Sequence, residues 1–179
     1  MVAILLGEGF EETEAIAPFD LLKRAGVDVL FAGVGGMTVK GSHGICVQAD
    51  CLVEDLQKEK LEMIVLPGGL RGVQTLSASR TAMELTKQVW ANGSYVAAIC
   101  AAPTILAALG ITDGKKTTCY PGMESKMSGA KPQRKSAVTD GKLITGRAAG
   151  SAMDFGLALI TALKGKAAAD KVASDVVYG

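Results

Sequence analysis

Cys100 has the surroundings most typical of a catalytic nucleophile in this chain. It follows an apolar run, residues 94–99, that predicts a buried strand, and precedes residues 102–109, which predict a helix. Pro103 fits the first turn of such a helix, where no backbone N–H is needed. The sulfur would then lie near the positive end of a helix dipole, which stabilises a thiolate. This pattern favours a reactive thiol, and an inert buried cysteine is the alternative interpretation.

Two further segments follow predicted strands at their carboxyl ends, the edge where open α/β sheets bind ligands. Gly68 and Gly69 come shortly after the apolar run 62–66. Their backbone N–H groups could hold an oxyanion, and a simple tight turn is the alternative. The segment 7–14 follows the first strand and is rich in glutamate. The glycine spacing fits neither a phosphate-binding loop nor a dinucleotide fingerprint, so neither site is expected.

The glutamates of this segment are Glu8, Glu11, Glu12 and Glu14. Most of them are expected to be solvated or to favour the N-terminus of the following helix, whose dipole attracts negative charge. Glu14 differs because it lies one turn into a helix whose apolar face includes Ile16 and Phe19. A buried carboxyl group stays neutral, can donate a hydrogen bond to a thiolate and can serve in acid–base catalysis. The residue types alone do not choose among the four.

The elements that must position these residues alternate between strand and helix. Strands are predicted at residues 2–6, 28–34, 62–66, 94–99, 116–120 and 142–145, with a hairpin over 38–49. Helices are predicted at 11–25, 79–92, 102–109 and 151–163, and residues 122–136 are expected to form a surface excursion. This alternation predicts right-handed crossovers and a mostly parallel sheet covered on both faces. A length of 179 residues suits one domain over residues 1–179.

Composition excludes several function classes. The chain is 49% hydrophobic and 21% charged, which is enough for a sizeable core, and its net charge of +1 gives no electrostatic footprint for nucleic acid. Its apolar runs are too short to span a membrane, and the N-terminus lacks the pattern of a signal peptide. The 4 cysteines have no metal-binding spacing and the chain has 1 histidine, so a cytoplasmic protein with free thiols and no metal is expected.

Six segments, in order over nearly the whole chain, together resemble one known family. They are Glu11-Glu12-Thr13-Glu14, Lys23-Arg24-Ala25-Gly26, Val65-Leu66-Pro67-Gly68-Gly69, Ala97-Ala98-Ile99-Cys100-Ala101-Ala102-Pro103-Thr104, Thr145-Gly146-Arg147-Ala148-Ala149-Gly150-Ser151 and Asp154-Phe155. The chain resembles the ThiJ/PfpI superfamily, in the branch of the parkinsonism-associated protein deglycase and the bacterial chaperone YajL.

This resemblance implies a fold, an assembly and a site. The fold is a flavodoxin-like three-layer α/β sandwich with a mostly parallel central sheet, and the assembly is a homodimer. Cys100 is implied to be the oxidation-prone nucleophile, with Glu14 as the glutamic acid hydrogen-bonded to it. The backbone N–H groups of Gly69 and Ala101 are implied to form an anion or oxyanion site. No cofactor is expected.

The chain departs from the family at three positions. Tyr120 stands where animal relatives carry a histidine, and Ala101 stands where the protease-like branch carries one. The single histidine, His43, lies in a turn where animal relatives have an arginine near the dimer interface. A Cys-His-Asp triad within one subunit is therefore not expected, and His43 is interpreted as a surface or interface residue. Tyr120 either packs or contacts substrate, and Arg24 either reaches the partner's site or is solvated at a helix end.

Three functions follow from the sequence. The first is a cysteine-dependent, glutathione-independent glyoxalase or deglycase acting on 2-oxoaldehydes such as methylglyoxal or on early glycation adducts. The second is an oxidative-stress sensor and redox-linked chaperone that uses the oxidisable Cys100. The third is a cysteine peptidase or amidotransferase-like hydrolase, against which the missing histidine argues.

Overall fold

The segments that contain the candidate site residues follow strands of one central sheet and lie at one edge of it. The computed structural model describes residues 1–179. Its strands are β1 (Val2–Gly7), β2 (Val29–Val34), β3 (Thr38–Lys40), β4 (Cys46–Gln48), β5 (Cys51–Leu52), β6 (Met63–Leu66), β7 (Tyr95–Ile99), β8 (Lys116–Thr117), β9 (Lys131–Pro132), β10 (Ala137–Asp140) and β11 (Leu143–Gly146). Its α-helices are α1 (Glu12–Arg24), α2 (Leu70–Ala78), α3 (Arg80–Ala91), α4 (Pro103–Ala108), α5 (Ala152–Lys164) and α6 (Lys166–Asp175).

The strand order places three parallel strands side by side. The seven-stranded sheet runs β10-β11-β7-β6-β1-β2-β5, and β10 is its one antiparallel strand. The neighbours β7, β6 and β1 are parallel, so their carboxyl ends meet at one edge. The chain leaves β1 for β2 on one side and returns to β6 on the other, which makes this edge a topological switch point. The predicted mostly parallel α/β sheet is confirmed.

Helices cover both faces of the sheet and bury two separate cores. Every residue of β1 is buried, and its side chains alternate between the two faces. One core joins the sheet to α1, α5 and α6, where Leu21, Phe155 and Val172 contribute buried side chains. The other joins it to α2, α3 and α4 through residues such as Leu76 and Val89. The result is the expected three-layer architecture, and none of the helices has the length and apolar character of a membrane span.

Helix α2 is absent from the sequence-based prediction, which ends the preceding strand in a glycine turn and leaves the next residues unassigned. Gly69 has a φ of +84° and directly precedes the helix, so the turn residues also begin α2. Gly72 and Thr75 lower its helical propensity, which hides it from a sequence pattern. Gly72 is needed because a Cβ there would lie 2.7 Å from the Cα of Phe10.

Other boundaries also differ from the prediction. The predicted strand 116–120 is only the two-residue β8, and the predicted final helix is followed by a sixth helix, α6. Gly165 separates α5 from α6 with a φ of +87°. Helix α6 buries only Ala169 and Val172, too weak a stripe to predict. The hairpin 38–49 is confirmed as β3 and β4, which pair antiparallel around the turn that contains His43.

Candidate active site

Cys100 lies immediately after β7 in a strained backbone conformation. Its φ is +66°, in the left-handed region that side chains with a Cβ rarely adopt. Backbone hydrogen bonds hold this conformation from both sides: Cys100 N–H donates to the carbonyl of Gly146 at 3.0 Å, and Tyr120 N–H donates to the Cys100 carbonyl at 2.7 Å. The predicted strand-to-helix turn is thus present, and two neighbouring segments keep it in place.

Glu14 lies in the first turn of α1 and is completely buried. Its Oε2 accepts a hydrogen bond from the Gly68 N–H at 2.9 Å, and the carboxyl group interacts directly with the Cys100 thiol. Oε1 is buried without a partner of good hydrogen-bond geometry. A Cβ at Gly68 would collide with this carboxyl group and with the Cβ of Cys100, so glycine is required between them. The structure therefore brings together the two side chains that the resemblance paired.

Two backbone amides face the sulfur. The backbone N–H groups of Gly69 and Ala101 both form hydrogen bonds with the Cys100 sulfur, which favours the ionised form of the thiol. Neither donates to a backbone carbonyl elsewhere, since one begins α2 and the other follows the strained turn. This arrangement can stabilise negative charge on the sulfur or on an oxygen bound to it.

The electrostatics of Glu14 follow from its burial. Desolvation raises the pKa of this carboxyl group to about 7, and the charge of Glu11 adds to the effect. The hydrogen bonds from Cys100 and Gly68 oppose the rise because they favour the ionised form. The carboxyl group can therefore hold or release a proton near neutral pH, as acid–base catalysis requires.

The thiol is not intrinsically acidic. Burial, the charge of Glu14 and a hydrogen bond with it raise the pKa of Cys100 to about 12, against the Ala101 and Gly69 amides. The expectation that a helix dipole lowers this pKa is wrong while Glu14 is ionised, because α4 has only 6 residues and the other effects outweigh it. The two groups instead titrate as a pair that holds one negative charge and shares one proton between the two values.

The thiol opens into a cavity of about 510 Å³, here called the Cys100 cavity. Its lining residues are Glu11, Ser42, His43, Gly69, Leu70, Arg71, Cys100, Ala101, Tyr120 and Met123. Tyr120 is 47% exposed and lies on the rim, so it is placed to meet a ligand rather than to pack in the core. A small molecule fits this volume.

Some site residues were missed by sequence reasoning and one predicted residue is elsewhere. Leu70 and Arg71 line the cavity from α2. The sequence did not predict them as site residues because it did not predict this helix. His43 is exposed as predicted, but it also lines the Cys100 cavity. Arg24 lies outside the cavity, where it pairs with Asp20 at 2.7 Å on the exposed end of α1. Within this chain the Arg24 side chain is exposed, and its contact with a partner's site stays a prediction.

Glu11, Glu12 and His43 have ligand atoms within 4.8 Å of one another, close enough to share a metal ion. Both oxygens of Glu12 already accept N–H or O–H groups from the segment that contains Ser42 and His43. We therefore assign these residues to a hydrogen-bonded loop anchor rather than to a metal centre. The four cysteines are all free thiols, of which Cys119 is buried and Cys46 exposed.

Comparison with known proteins places this geometry in a family. A model of the DJ-1/PfpI family matches residues 1–162. The chain belongs to the DJ-1/PfpI family. Among the DJ-1/PfpI proteins it resembles, the Drosophila melanogaster protein dj-1beta is 37% identical over 177 residues, covering 97% of this chain and 95% of that protein. The resemblance seen in the sequence is confirmed.

Two other similar proteins are informative. A Pyrococcus abyssi protein named a deglycase is 34% identical over 151 residues, which cover 83% of this chain and 90% of that protein. The structure of oxidised Toxoplasma gondii DJ-1 superposes with a TM-score of 0.95 at 32% identity, over 99% of this chain and 98% of that one. The two structures therefore share the whole arrangement of strands and helices described above.

Proposed function

We propose that this DJ-1/PfpI protein is a cysteine-dependent enzyme that acts, without glutathione, on 2-oxoaldehydes such as methylglyoxal or on their early glycation adducts. The observation that carries the proposal is that the Cys100 thiol, with the amides of Gly69 and Ala101 beside it, opens into one cavity, while the buried Glu14 carboxyl group lies directly against that thiol. A relative named a deglycase supports a role of this type.

The first step is nucleophilic addition. The thiolate of Cys100 forms a bond to the aldehyde carbon, and the aldehyde oxygen takes the proton that the Cys100–Glu14 pair held. The amides of Gly69 and Ala101 stabilise the charge that develops on that oxygen. The product is a hemithioacetal, and Glu14 is left as a carboxylate beside the carbon that must lose a proton.

The second step moves hydrogen from one carbon to the next. The Glu14 carboxylate removes the proton from the carbon bonded to sulfur and returns it to the neighbouring carbon, while the hydroxyl proton on the first carbon is replaced by one on the oxygen of the second, which converts the hemithioacetal into a thioester. Water then hydrolyses the thioester, releasing lactate and the free thiol. The pKa of about 7 suits Glu14 to both halves of this transfer.

Lactate formation from methylglyoxal tests the proposal. Wild-type protein in glutathione-free buffer is compared with Cys100→Ser, and Cys46→Ser is the control because that thiol is exposed and outside the cavity. We expect Cys100→Ser to lose turnover and Cys46→Ser to keep it. Equal turnover by all three proteins would exclude Cys100 as the nucleophile, and an inactive wild type would exclude the enzyme proposed here.

A second function is favoured by one observation. The amides of Gly69 and Ala101 that face the Cys100 sulfur could also hold the oxygens of a sulfinate, which is the chemistry of an oxidation sensor. A structural relative of this chain is described in oxidised form. After mild peroxide treatment, mass mapping should find Cys100 oxidised before Cys46. Oxidation of Cys46 with Cys100 intact would exclude the sensor.

We also propose that the protein forms a homodimer. Ile16 on α1 is 38% exposed and Ile45 in the hairpin turn is 52% exposed, and both line one shallow depression. A second copy could cover this apolar surface, and a stable interface would bury at least ~1,000 Å². Arg24, also on α1, would then lie near the partner. Sedimentation velocity should give a dimer at micromolar concentration, and a monomer there would contradict the proposal.

A further inference from the structure

His43 is held in place by a buried carboxylate. Glu12 is only 4% exposed, and its Oε1 accepts a hydrogen bond from the His43 N–H at 2.7 Å. Its Oε2 accepts from the Ser42 hydroxyl at 3.1 Å and lies 2.9 Å from Nδ1 of the His43 ring. A Cβ at Gly41 would collide with the Glu12 side chain, so the loop lies directly against this carboxylate. These hydrogen bonds to Glu12 hold the imidazole ring of His43 in position.

The other ring nitrogen is free to meet a ligand. Nδ1 of His43 is engaged by Glu12 and by the Ser42 hydroxyl at 3.0 Å, whereas Nε2 has no partner within the protein. His43 lines the Cys100 cavity. A carboxylate on Nδ1 with a free Nε2 toward a reacting centre is the arrangement that orients histidines in acid–base catalysis.

The charges around the ring favour its protonated form. The hydrogen bond and charge of Glu12 raise the pKa of His43, and Glu11, whose Oε1 is 4.0 Å from Nδ1, adds to the rise. Hydrogen bonds from the loop overcome the effect of burial and lower the pKa of Glu12 to about 2, so this carboxylate stays ionised. Arg71 on α2, the Cys100 thiol and the Tyr120 phenol are the other ionisable groups lining the cavity. The protonated form of His43, which carries a proton on Nε2, is therefore favoured relative to a free imidazole.

We propose that His43 is a third functional side chain of the Cys100 cavity, whose Nε2–H donates to an oxygen of the bound substrate, and that Glu12 is its positioning residue. The catalytic role rests on the proposed function. A 2-oxoaldehyde has two adjacent oxygens, and only the one on the attacked carbon meets the amides at the sulfur. The second oxygen needs a donor of its own, which His43 supplies.

The proton transfers balance with both residues taking part. As Glu14 removes the proton from the carbon bonded to sulfur, a double bond forms to the next carbon, and the oxygen of that carbon takes the proton from Nε2 of His43. Neutral His43 then takes the proton of the hydroxyl on the first carbon as its carbonyl forms. Glu14 returns its proton to the second carbon. Both side chains regain their starting states and the thioester is formed.

Chemical rescue tests this role. His43→Gly leaves a space for free imidazole, and we expect lactate formation to fall by about 100-fold, a typical contribution of acid–base catalysis. Added imidazole should restore activity to the variant and should stimulate neither wild type nor Cys100→Ser. The pH profile of the wild type should lose activity as His43 deprotonates, and this alkaline limb should be absent from the variant. Failure of imidazole to rescue the variant overturns the proposed acid–base role.

Alkylation of Cys100 gives a readout that does not depend on turnover. The wild type should favour iodoacetate over iodoacetamide at pH values where His43 is protonated, because a cation in the cavity attracts the carboxylate reagent. His43→Gln, which keeps a polar group but cannot be charged, should lower this ratio at those pH values and leave only the pH dependence that Glu14 contributes. A ratio unchanged by His43→Gln overturns the placement of His43 at the site. An inactive wild type with a His43-dependent ratio overturns the proposed enzyme and retains that placement.

Discussion

Glu12 and Glu14 lie two residues apart in the first turn of α1, both are buried, and their proton affinities differ widely. The pKa of Glu12 is lowered to about 2, whereas that of Glu14 is raised to about 7. Burial disfavours the charge of both, but it outweighs the hydrogen bonds only at Glu14, where the charge of Glu11 adds to it. Glu12 accepts hydrogen bonds from the backbone and ring of His43 and from Ser42, whereas Glu14 accepts them from Gly68 and from the Cys100 thiol.

The contrast assigns a role to each carboxyl group. Glu12 is a permanent anion that anchors a loop, and Glu14 is an acid that exchanges its proton near neutral pH. Paired groups whose environments move their pKa values apart are a mark of acid–base sites. Because the two residues share one helical turn, matched variants compare them on the same local backbone.

The largest effect is expected from Glu14→Gln. The amide keeps the shape of the side chain but cannot exchange a proton, so methylglyoxal turnover should fall by about two orders of magnitude or more. Glu14→Asp keeps the acid but shortens its reach, and its turnover should lie between the two. Steady-state lactate assays measure both. Unchanged turnover in Glu14→Gln would remove Glu14 as the proton carrier and favour the sensor function.

The same variant reports on the thiol. In the wild type, the rate of Cys100 alkylation should rise in two steps as the pair loses its protons, near pH 7 and about 12. Glu14→Gln removes the neighbouring charge, so a single step at a pH below the upper one is expected. Two steps in the variant would show that another group is coupled to Cys100.

A smaller effect is expected from Glu12→Gln, and on stability first. The substitution leaves the donors of Ser42 and His43 without a charged acceptor, and a lost buried hydrogen bond of this kind costs about 1–3 kcal/mol. Urea unfolding at pH 7 measures the loss. Lactate assays should also show reduced turnover, since His43 is no longer oriented. A variant as stable as the wild type would show that the loop does not depend on this carboxylate.

The smallest effect is a difference in pH slopes, and its sign distinguishes the two residues. The lowered pKa of Glu12 adds stability that is present above about pH 4.5 and is lost as the pH falls toward about 2. The raised pKa of Glu14 has the opposite sign, because the folded state binds the extra proton, so stability falls as the pH rises from 4.5 to about 7.

Urea unfolding across both pH ranges tests these slopes. Glu12→Gln should flatten the stability curve only in the acid window, and Glu14→Gln only in the window up to neutrality. The two variants are each other's controls. If both flatten the same window, the electrostatic contrast between the residues is wrong.

The site residues that were predictable from sequence are those that follow the strands of the sheet. Cys100 and the glycine pair stand after apolar runs, and the parallel sheet brings such segments to one edge. Glu14 needed the family resemblance, because four glutamates compete in its segment. Local pattern and family motif together were therefore enough to place these groups.

The rest depends on contacts that a sequence pattern does not contain. Arg71 lies on α2, whose weak helix formers concealed it, and the bond between Glu12 and His43 joins residues 31 positions apart. The expectation of a lowered pKa for Cys100 was wrong for a similar reason. A helix dipole is a local feature, whereas the charge of Glu14 and the degree of burial follow from tertiary packing.

The left-handed backbone at Cys100 has a consequence for how the protein evolves. A non-glycine residue in this conformation costs about 1–3 kcal/mol, so the fold is less stable than it would be with glycine there. Cys100→Gly should therefore melt at a higher temperature than the wild type while lacking the nucleophile. A lineage that no longer needs the thiol would be free to drift toward a more robust scaffold. The amount of folded protein in a cell would then say nothing about whether the site still works.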